Sequence, residues 1–403
     1  MADKSGQTIL VVENSTVQAR IISEHIQSCT SFPTRICASL ADLQTILENG
    51  EESVFLAVLN LSLKDAPNGE AVDYILSKGV PCIVLTATFN TELRNRFLEK
   101  NVLDYFDKSN REDMDNMVDQ IERLWSNRNC KVVIAEDSST ARRVMLRLLQ
   151  QHNFTVLEAA NGKEALEQLE RHPDVKLLIT DYEMGEMDGF ELVSRVRETH
   201  SKETLAIIGV SAHSSGALTA KFLKNGANDF LNKPFEVEEF NCRVSKNLNE
   251  IDRIHAIKEA HQRDFLAPVF NRKYFIETGR ELHNQAKAQG ASLGLALFSI
   301  DGLGAVNAQY GLDAGDAALL RLAVCLDHHA GNWDIVARNA NKFYVLTIRQ
   351  GTEDFVQSLE AVRDEFAASP VRRHQTAFTV QASFVYSAKP YESLDAMLAA
   401  LEG

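Results

Sequence analysis

Hydrophobic residues follow two rhythms along this chain. Short blocks that are apolar throughout alternate with longer stretches in which apolar residues recur every three or four positions. Leu177, Leu178, Ile179 and Thr180 make a run too compact for a helix and bounded by polar turn residues, which predicts a buried strand. Residues 132–135 (VVIA) read the same way, and the segments IIGVSAH and DFLNKPF add two more strand ends. After residue 137 the period lengthens, and Ala141, Val144, Leu148 and Leu149 mark one face of a helix. Strands alternating with helices predict an open, parallel α/β sheet.

A long helical stretch, 236–263, comes next. Phe240, Val244, Ile251 and Ile254 take heptad-like spacing, with Asn247 in the same seam and Lys258 and His261 at its end. Such a helix either lies along its own domain or acts as a dimer or lever helix leading to the next. Residues 264–403 interleave the two rhythms differently. Residues 293–319 predict a strand, a polar turn and a helix. Residues 336–348 predict a hairpin turning at Asn339, Ala340, Asn341 and Lys342, residues 378–386 another strand, and the last residues an amphipathic helix. Antiparallel pairing at the hairpin makes this region α+β.

The first third of the chain repeats the second. TILVVENSTVQAR in 6–127 lines up with KVVIAEDSSTARR in 131–250, and Asn14, Asn60, Thr86 and Lys108 map onto Asp137, Asp181, Ser211 and Lys233 at nearly constant offset. Residues 119–130 form a helix end and a short polar joint between the copies.

Length and composition narrow the classes. The 403 residues suggest two to four domains, and 45% hydrophobic content supports true cores. A net charge of −14 argues against nucleic acid or an anionic membrane as partner. The six cysteines are scattered without a CxxC pair, as expected of reduced thiols in the cytoplasm. No signal-like segment or membrane-length apolar run is expected.

Chemistry gathers at the predicted strand ends of the second repeat. Asp181 ends one strand, Glu136 and Asp137 end another, Ser211 a third, and Lys233 follows the fourth. In an open parallel sheet these ends share one edge, where ligands sit. Clustered carboxylates suit a hard cation such as Mg²⁺. The cation offsets repulsion between an aspartate nucleophile and a phosphoryl group, whose oxygens a lysine and a hydroxyl can hold. In the first repeat Asn60 replaces the nucleophile, and the acidic pair has become Glu13 and Asn14. A carboxamide cannot form an acyl phosphate, so this copy is expected not to be phosphorylated. Asn60 either mimics one fixed state or the copy serves only in packing and dimerisation.

With these residues in place, 131–250 resembles a response-regulator receiver domain. The resemblance implies phosphoryl transfer to Asp181 from a histidine kinase or phosphotransfer protein. It further implies Mg²⁺ held by Glu136, Asp137, Asp181 and the Glu183 backbone carbonyl, with phosphate contacts from Ser211 and Lys233. Phe230 matches the switch aromatic, and Tyr105 takes that place in the first copy. Residues 264–403 resemble a GGDEF domain of diguanylate cyclases, entered by Asp264 to Arg272 and carrying Asp301, Asn307, Gly315 and Asp316 at motif positions. Two receivers followed by GGDEF is the PleD-type arrangement. It implies two doubly wound, flavodoxin-like α/β domains and an α+β nucleotidyl-cyclase-like domain.

The departures from the cyclase pattern bear on function. The first metal aspartate is Ser299, the signature acids are Asn341 and Lys342, and the signature glycines are Asn339 and Ala340. The expected lysine at 304 is glycine, and the RxxD motif lacks its arginine at Gly331. Ammonium in place of carboxylate at a cation site turns attraction into repulsion worth several kcal/mol at close range. Asn307 and Asp316 survive as a possible nucleotide-binding remnant, although both residue types are also routine caps. The expected function is a cytoplasmic response regulator whose non-catalytic output domain binds a partner protein or its own copy, with homodimerisation on phosphorylation. An active diguanylate cyclase making cyclic di-GMP from GTP, or a GTP or cyclic di-GMP sensor without turnover, are the alternatives. Cys325, His328 and His329 suggest metal at first sight, but adjacent histidines on a helix are expected to face different sides. His213 is expected to be an exposed loop residue.

Overall fold

The structure is a computed structural model and describes residues 4, 6–50, 53–86, 100, 102–212, 216–291, 293–329, 331, 334–348, 352–368, 370–373, 376–389 and 391–402. The chain divides into two compact units, Met1–Asp252 and Arg253–Gly403.

The first unit holds two five-stranded sheets, parallel throughout. Strands β1 (Thr8–Val12), β2 (Thr34–Cys37), β3 (Val54–Asn60), β4 (Cys82–Thr86) and β5 (Asp104–Asp107) take the order β2-β1-β3-β4-β5. Strands β6 (Lys131–Ala135), β7 (Thr155–Ala159), β8 (Val175–Asp181), β9 (Ala206–Ser211) and β10 (Asp229–Asn232) repeat it as β7-β6-β8-β9-β10. The all-apolar blocks are explained by burial of both faces. Ile9 and Val11 enter one core with the helices Thr16–Cys29 and Arg111–Ser126. Leu10 and Val12 enter another with Leu40–Asn49 and Glu70–Ser77. Val132 and Ile134, against Val133 and Ala135, divide in the same way. Matching caps start the first helix of each copy: Ser15 accepts from the Gln18 amide and Ser138 from the Ala141 amide.

Two details of the helical reading change. In the helix Ser139–Gln151 the buried stripe is Met145, Leu148 and Leu149, whereas Val144 is 50% exposed. Val144 lies about 100° around the helix from Met145, so it cannot share the stripe centred there. The long helix spans Val237–Gln262, and Phe240, Val244, Leu248 and Ile251 pack into the core of its own receiver. Asn247, in the same seam, is buried because its amide reaches Asp229. Past Ile251 the seam ends: Ile254 is half-buried and Ile257 exposed.

The second unit carries a mixed sheet ordered β11-β13-β14-β12-β17, from β11 (Phe270–Asn271), β12 (Gly294–Ile300), β13 (Ile335–Asn339), β14 (Lys342–Thr347) and β17 (Ala382–Ser387). A small antiparallel pair joins β15 (Val371–Arg373) to β16 (Thr376–Phe378). Ala296 and Phe298 face the helices Leu312–His328 and Thr352–Ala368, while Leu295 and Leu297 face Arg272–Gln289 and Leu394–Glu402. The predicted hairpin is present, β13 turning into β14 through Ala340 and Asn341, with Ala340 at φ 55°. The single helix expected after β12 is two, Leu303–Tyr310 and Leu312–His328, broken at Gly311 whose φ of 89° no helix allows. The strand expected over 378–386 is likewise split between β16 and β17, which pair with different partners. No described helix is long and apolar enough to cross a membrane.

Candidate functional site

The parallel order of the second sheet brings the ends of β6, β8, β9 and β10 to one edge. Asp181 is the last residue of β8, Ser211 the last of β9, and Lys233 follows β10; Glu136 and Asp137 follow β6. One carboxylate oxygen from each of Glu136, Asp137 and Asp181 lies within 4.8 Å of the others. Lys233 Nζ donates to Glu136 Oε2 at 2.5 Å and to Asp181 Oδ1 at 2.7 Å. Asp181 Oδ2 accepts from the Glu183 amide at 3.2 Å, which ties the following loop to the nucleophile position. Glu136, Asp181 and Ser211 are buried, while Asp137 is exposed and leaves the cluster open to solvent on that side.

Burial pushes the Glu136 carboxyl above its usual range, and the charge of Asp181 adds to that. The hydrogen bond and charge of Lys233 act the other way without cancelling it. Burial alone would lower the Lys233 ammonium; its bonds to Asp181 and Glu136 outweigh burial and raise it. The residues fit a hard cation: three carboxylates at one point, one open to water, with a single ammonium among them.

Phe230 lies one strand from the cluster, buried beside Phe222 at a ring separation of 5.3 Å. The register places Gly209 opposite Phe230, and a Cβ at Gly209 would fall 2.7 Å from Phe222 and 3.0 Å from Phe230. His213 lies outside the described residues.

Two contributors escaped the sequence reading. A Cβ at Gly189 would fall 2.3 Å from the Asp181 carbonyl oxygen, so only glycine lets the helix Gly189–Thr199 start so close to the site. Arg142 donates to the Glu136 carbonyl at 2.6 Å and to Glu158 at 3.0 Å, clamping the backbone of the acidic pair. A signal for Arg142 existed, because the aligned residue of the first copy is Ala19.

The first copy builds the same pocket with different charges. Lys108 Nζ donates to the buried Glu13 carboxylate at 2.9 Å. The Asn60 amide donates to Glu13 Oε1 at 3.2 Å and to Asn14 Oδ1 at 3.3 Å. Thr86 and Tyr105 are buried at the positions expected of them.

In the second unit the register sets Ser299 of β12 opposite Lys342 of β14, and Asn339 opposite the same lysine. Ala340 and Asn341 form the tip between them. Asn339 Nδ2 donates to the Tyr344 hydroxyl at 2.9 Å, and that hydroxyl donates to Glu402, so the hairpin is tied to the C-terminal helix. Asp301 accepts from Ser383 at 2.7 Å. Asn307 lies against Gly315, and its Oδ1 is buried with no hydrogen-bond partner among the described residues; Asp316 is exposed. Sequence spacing had set the histidines at 328 and 329 on different sides of a helix. The structure corrects this: both reach Glu365, His328 Nδ1 at 3.0 Å and His329 Nε2 at 3.2 Å.

Comparison with known proteins finds relatives for both units. The profile of the response regulator receiver domain matches residues 132–245, and that of the diguanylate cyclase GGDEF domain matches residues 261–400. The chemotaxis protein CheY homolog of Campylobacter jejuni is 42% identical over 106 residues, which are 26% of this chain and 82% of that protein. Chemotaxis protein CheY1 of Helicobacter pylori is 39% identical over 106 residues, 26% of this chain and 86% of that protein. A solved two-component system response regulator/GGDEF domain protein shares 39% identity at a TM-score of 0.54, over 61% of this chain and 99% of its own.

Proposed function

The chain belongs to the response regulators that join receiver domains to a GGDEF domain, and from that premise we propose a phosphorelay regulator switched at Asp181, whose GGDEF-like domain works by binding and not by catalysis. In this reading an Asp181 carboxylate oxygen attacks the phosphorus of a phosphohistidine on a kinase or phosphotransfer protein. The acyl phosphate forms as the P–N bond breaks, and the histidine keeps the electron pair. Lys233, already 2.7 Å from Oδ1, and Ser211, at the end of the adjacent strand, hold the phosphoryl oxygens. Glu136, Asp137, Asp181 and the Glu183 carbonyl would hold Mg²⁺, which when bound offsets repulsion between the carboxylate and the incoming phosphoryl group.

Phosphorylation draws Lys233 from the Glu136–Asp181 pair toward the new oxygens. Phe230, buried three residues before Lys233, registers that movement in the core in this reading, and a pre-existing equilibrium between conformers shifts. The output is a contact with a downstream protein or with a second copy of the chain, in the cytoplasm, without nucleic acid or membrane as partner.

The observation that carries the non-catalytic reading is Lys342 facing Ser299 across β14 and β12. Metal ions that hold phosphate need negative charge there, and the chain offers a hydroxyl and a lysine instead. A second reading, GTP or cyclic di-GMP binding without turnover, is favoured by one observation, the buried and unpartnered Asn307 Oδ1. Calorimetry with both nucleotides and a GTP turnover assay separate these: neither binding nor turnover is expected, binding alone would establish the sensor, and turnover would defeat both. Recovery of a partner only with beryllofluoride, and its loss in Asp181→Asn, tests the switch.

A further inference from the structure

The two copies of the first unit enclose a cavity of about 360 Å³, within the size range of small-molecule sites. The first copy supplies Val102 and Leu103, the residues before β5, with Gln120 and Arg123 of the helix Arg111–Ser126. The second supplies Leu148 and Gln151 of the helix Ser139–Gln151, then His152, its C-cap. The start of the long helix closes the space, with Val237, Asn241 and Ser245 four residues apart on one face. Val237, 47% exposed, borders it.

The polar lining has hydrogen-bonding capacity left over. The Arg123 guanidinium is half-buried and has neither an ion pair nor a hydrogen bond among the described residues. The side chains of Gln120, Gln151, Asn241 and Ser245 are half-buried too, and likewise have no partner among the described residues. Polar groups gathered at one cavity without a protein partner are answered by water or by a ligand. Burial keeps the His152 ring neutral, its pKa down to about 4, so it offers a hydrogen bond without charge at neutral pH. Two carboxylates, Asp104 and Glu238, border the same space, and Asp104 Oδ1 already accepts from the Tyr105 amide. Both signs of charge are therefore present. A plain organic anion would pair with Arg123 but meet two carboxylates, and a plain cation would meet Arg123 with the wrong sign.

We propose that this cavity is a binding site for a free α-amino acid with an apolar side chain. The ligand carboxylate takes the Arg123 guanidinium, whose paired N–H donors match carboxylate geometry. The ligand ammonium donates to Asp104 or Glu238 and to the amide oxygens of the lining. The ligand side chain lies on Val102, Leu103, Leu148 and Val237. Binding here owes nothing to phosphoryl transfer at Asp181. The helix that closes the cavity begins four residues after Lys233 and packs Phe240 and Val244 into the core of the second receiver. An occupied cavity holds that helix against the first copy, so the copy with Asn60 in the nucleophile's place supplies half of a sensor.

The test is calorimetric titration of the full chain, at neutral pH, with leucine, valine, methionine and phenylalanine. The deaminated acid and the decarboxylated amine of each serve as controls. At least one of these amino acids is expected to bind at one equivalent. Both of its controls should bind at least about tenfold more weakly, since each lacks one charge-assisted pair. Arg123→Gln is expected to weaken binding at least about tenfold with an unchanged urea midpoint, because that guanidinium holds no partner among the described residues. Ser245→Trp fills the cavity from the other copy and should abolish binding. Binding of none of the amino acids, equal binding of an acid or amine control, or unaltered affinity in both variants overturns the proposal.

Discussion

In the first receiver Lys108 faces a single carboxylate, Glu13, and the amide of Asn60 fills the space between Glu13 and Asn14. In the second, Lys233 faces Glu136 and Asp181 together, and Asp137 stands open to water beside them. Counted over these side chains, one acid against one lysine leaves the first pocket neutral. Three acids against one lysine leave the second at −2. The frame is the same, down to Ser15 and Ser138, whose backbone amides reach Glu13 and Glu136. A neutral pocket closed by its own hydrogen bonds has no use for a cation. A pocket left negative is a cation trap, and a cation is what a phosphate-accepting aspartate needs. Two substitutions, at positions 14 and 60, account for the difference in charge.

The hardest blow to this contrast would come from labelling. Asp181→Asn is expected to abolish phosphate incorporation from acetyl phosphate with Mg²⁺; residual label mapping to the first receiver would mean that neutrality there is no barrier. The reverse change sharpens the contrast. Asn14→Asp with Asn60→Asp rebuilds the charge of the second pocket around the existing Thr86 and Lys108, and should confer Mg²⁺-dependent labelling on an Asp181→Asn background.

Smaller effects are expected in stability. Lys233→Ala strands two buried carboxylates and should cost about 3 kcal/mol in urea unfolding at neutral pH. Lys108→Ala should cost about 2 kcal/mol, since Asn60 still donates to Glu13. Equal losses would show that the extra charge of the second pocket carries no energetic weight. The Lys233→Ala penalty should shrink toward pH 5. Glu136 already has a folded pKa above its unfolded value, so its contribution favours folding at low pH and is lost as pH rises through that raised value.

An effect no larger than that of Lys108→Ala lies away from the pockets, at the end of the second receiver's first helix. Burial holds His152 neutral, its pKa down to about 4. A depressed value means its contribution is complete above pH 6.5 and is lost as pH falls toward 4. His152→Gln should flatten that acid limb by about 2 kcal/mol, allowing for its partial exposure, as read by unfolding curves between pH 7 and 4.

Much of the second receiver's site was legible before any fold was known. Four strand ends carrying acid, acid, hydroxyl and lysine in chain order can meet only at one edge of a parallel sheet. The duplication itself exposed the missing acids of the first copy. Gly189 was not legible, because its role is set by the Asp181 carbonyl it approaches, and spacing does not reveal such an approach. Val144 misled because a run of apolar residues does not say which of them centres the stripe. The histidines at 328 and 329 misled because adjacent residues seemed bound to diverge, when Cys325 lies between their directions and one acid on another helix answers both.

Residue type and order alone determined where charge survives and where it has been lost, since a carboxylate's replacement by amide, hydroxyl or ammonium is a chemical fact independent of conformation. Pairing across distance was left to the tertiary structure. Lys233 bridging two particular acids, Lys342 set opposite Ser299, and Glu365 drawn between two histidines all depend on sheet register and helix packing, which are fixed by burial of both faces of each sheet and not by any local run of residues.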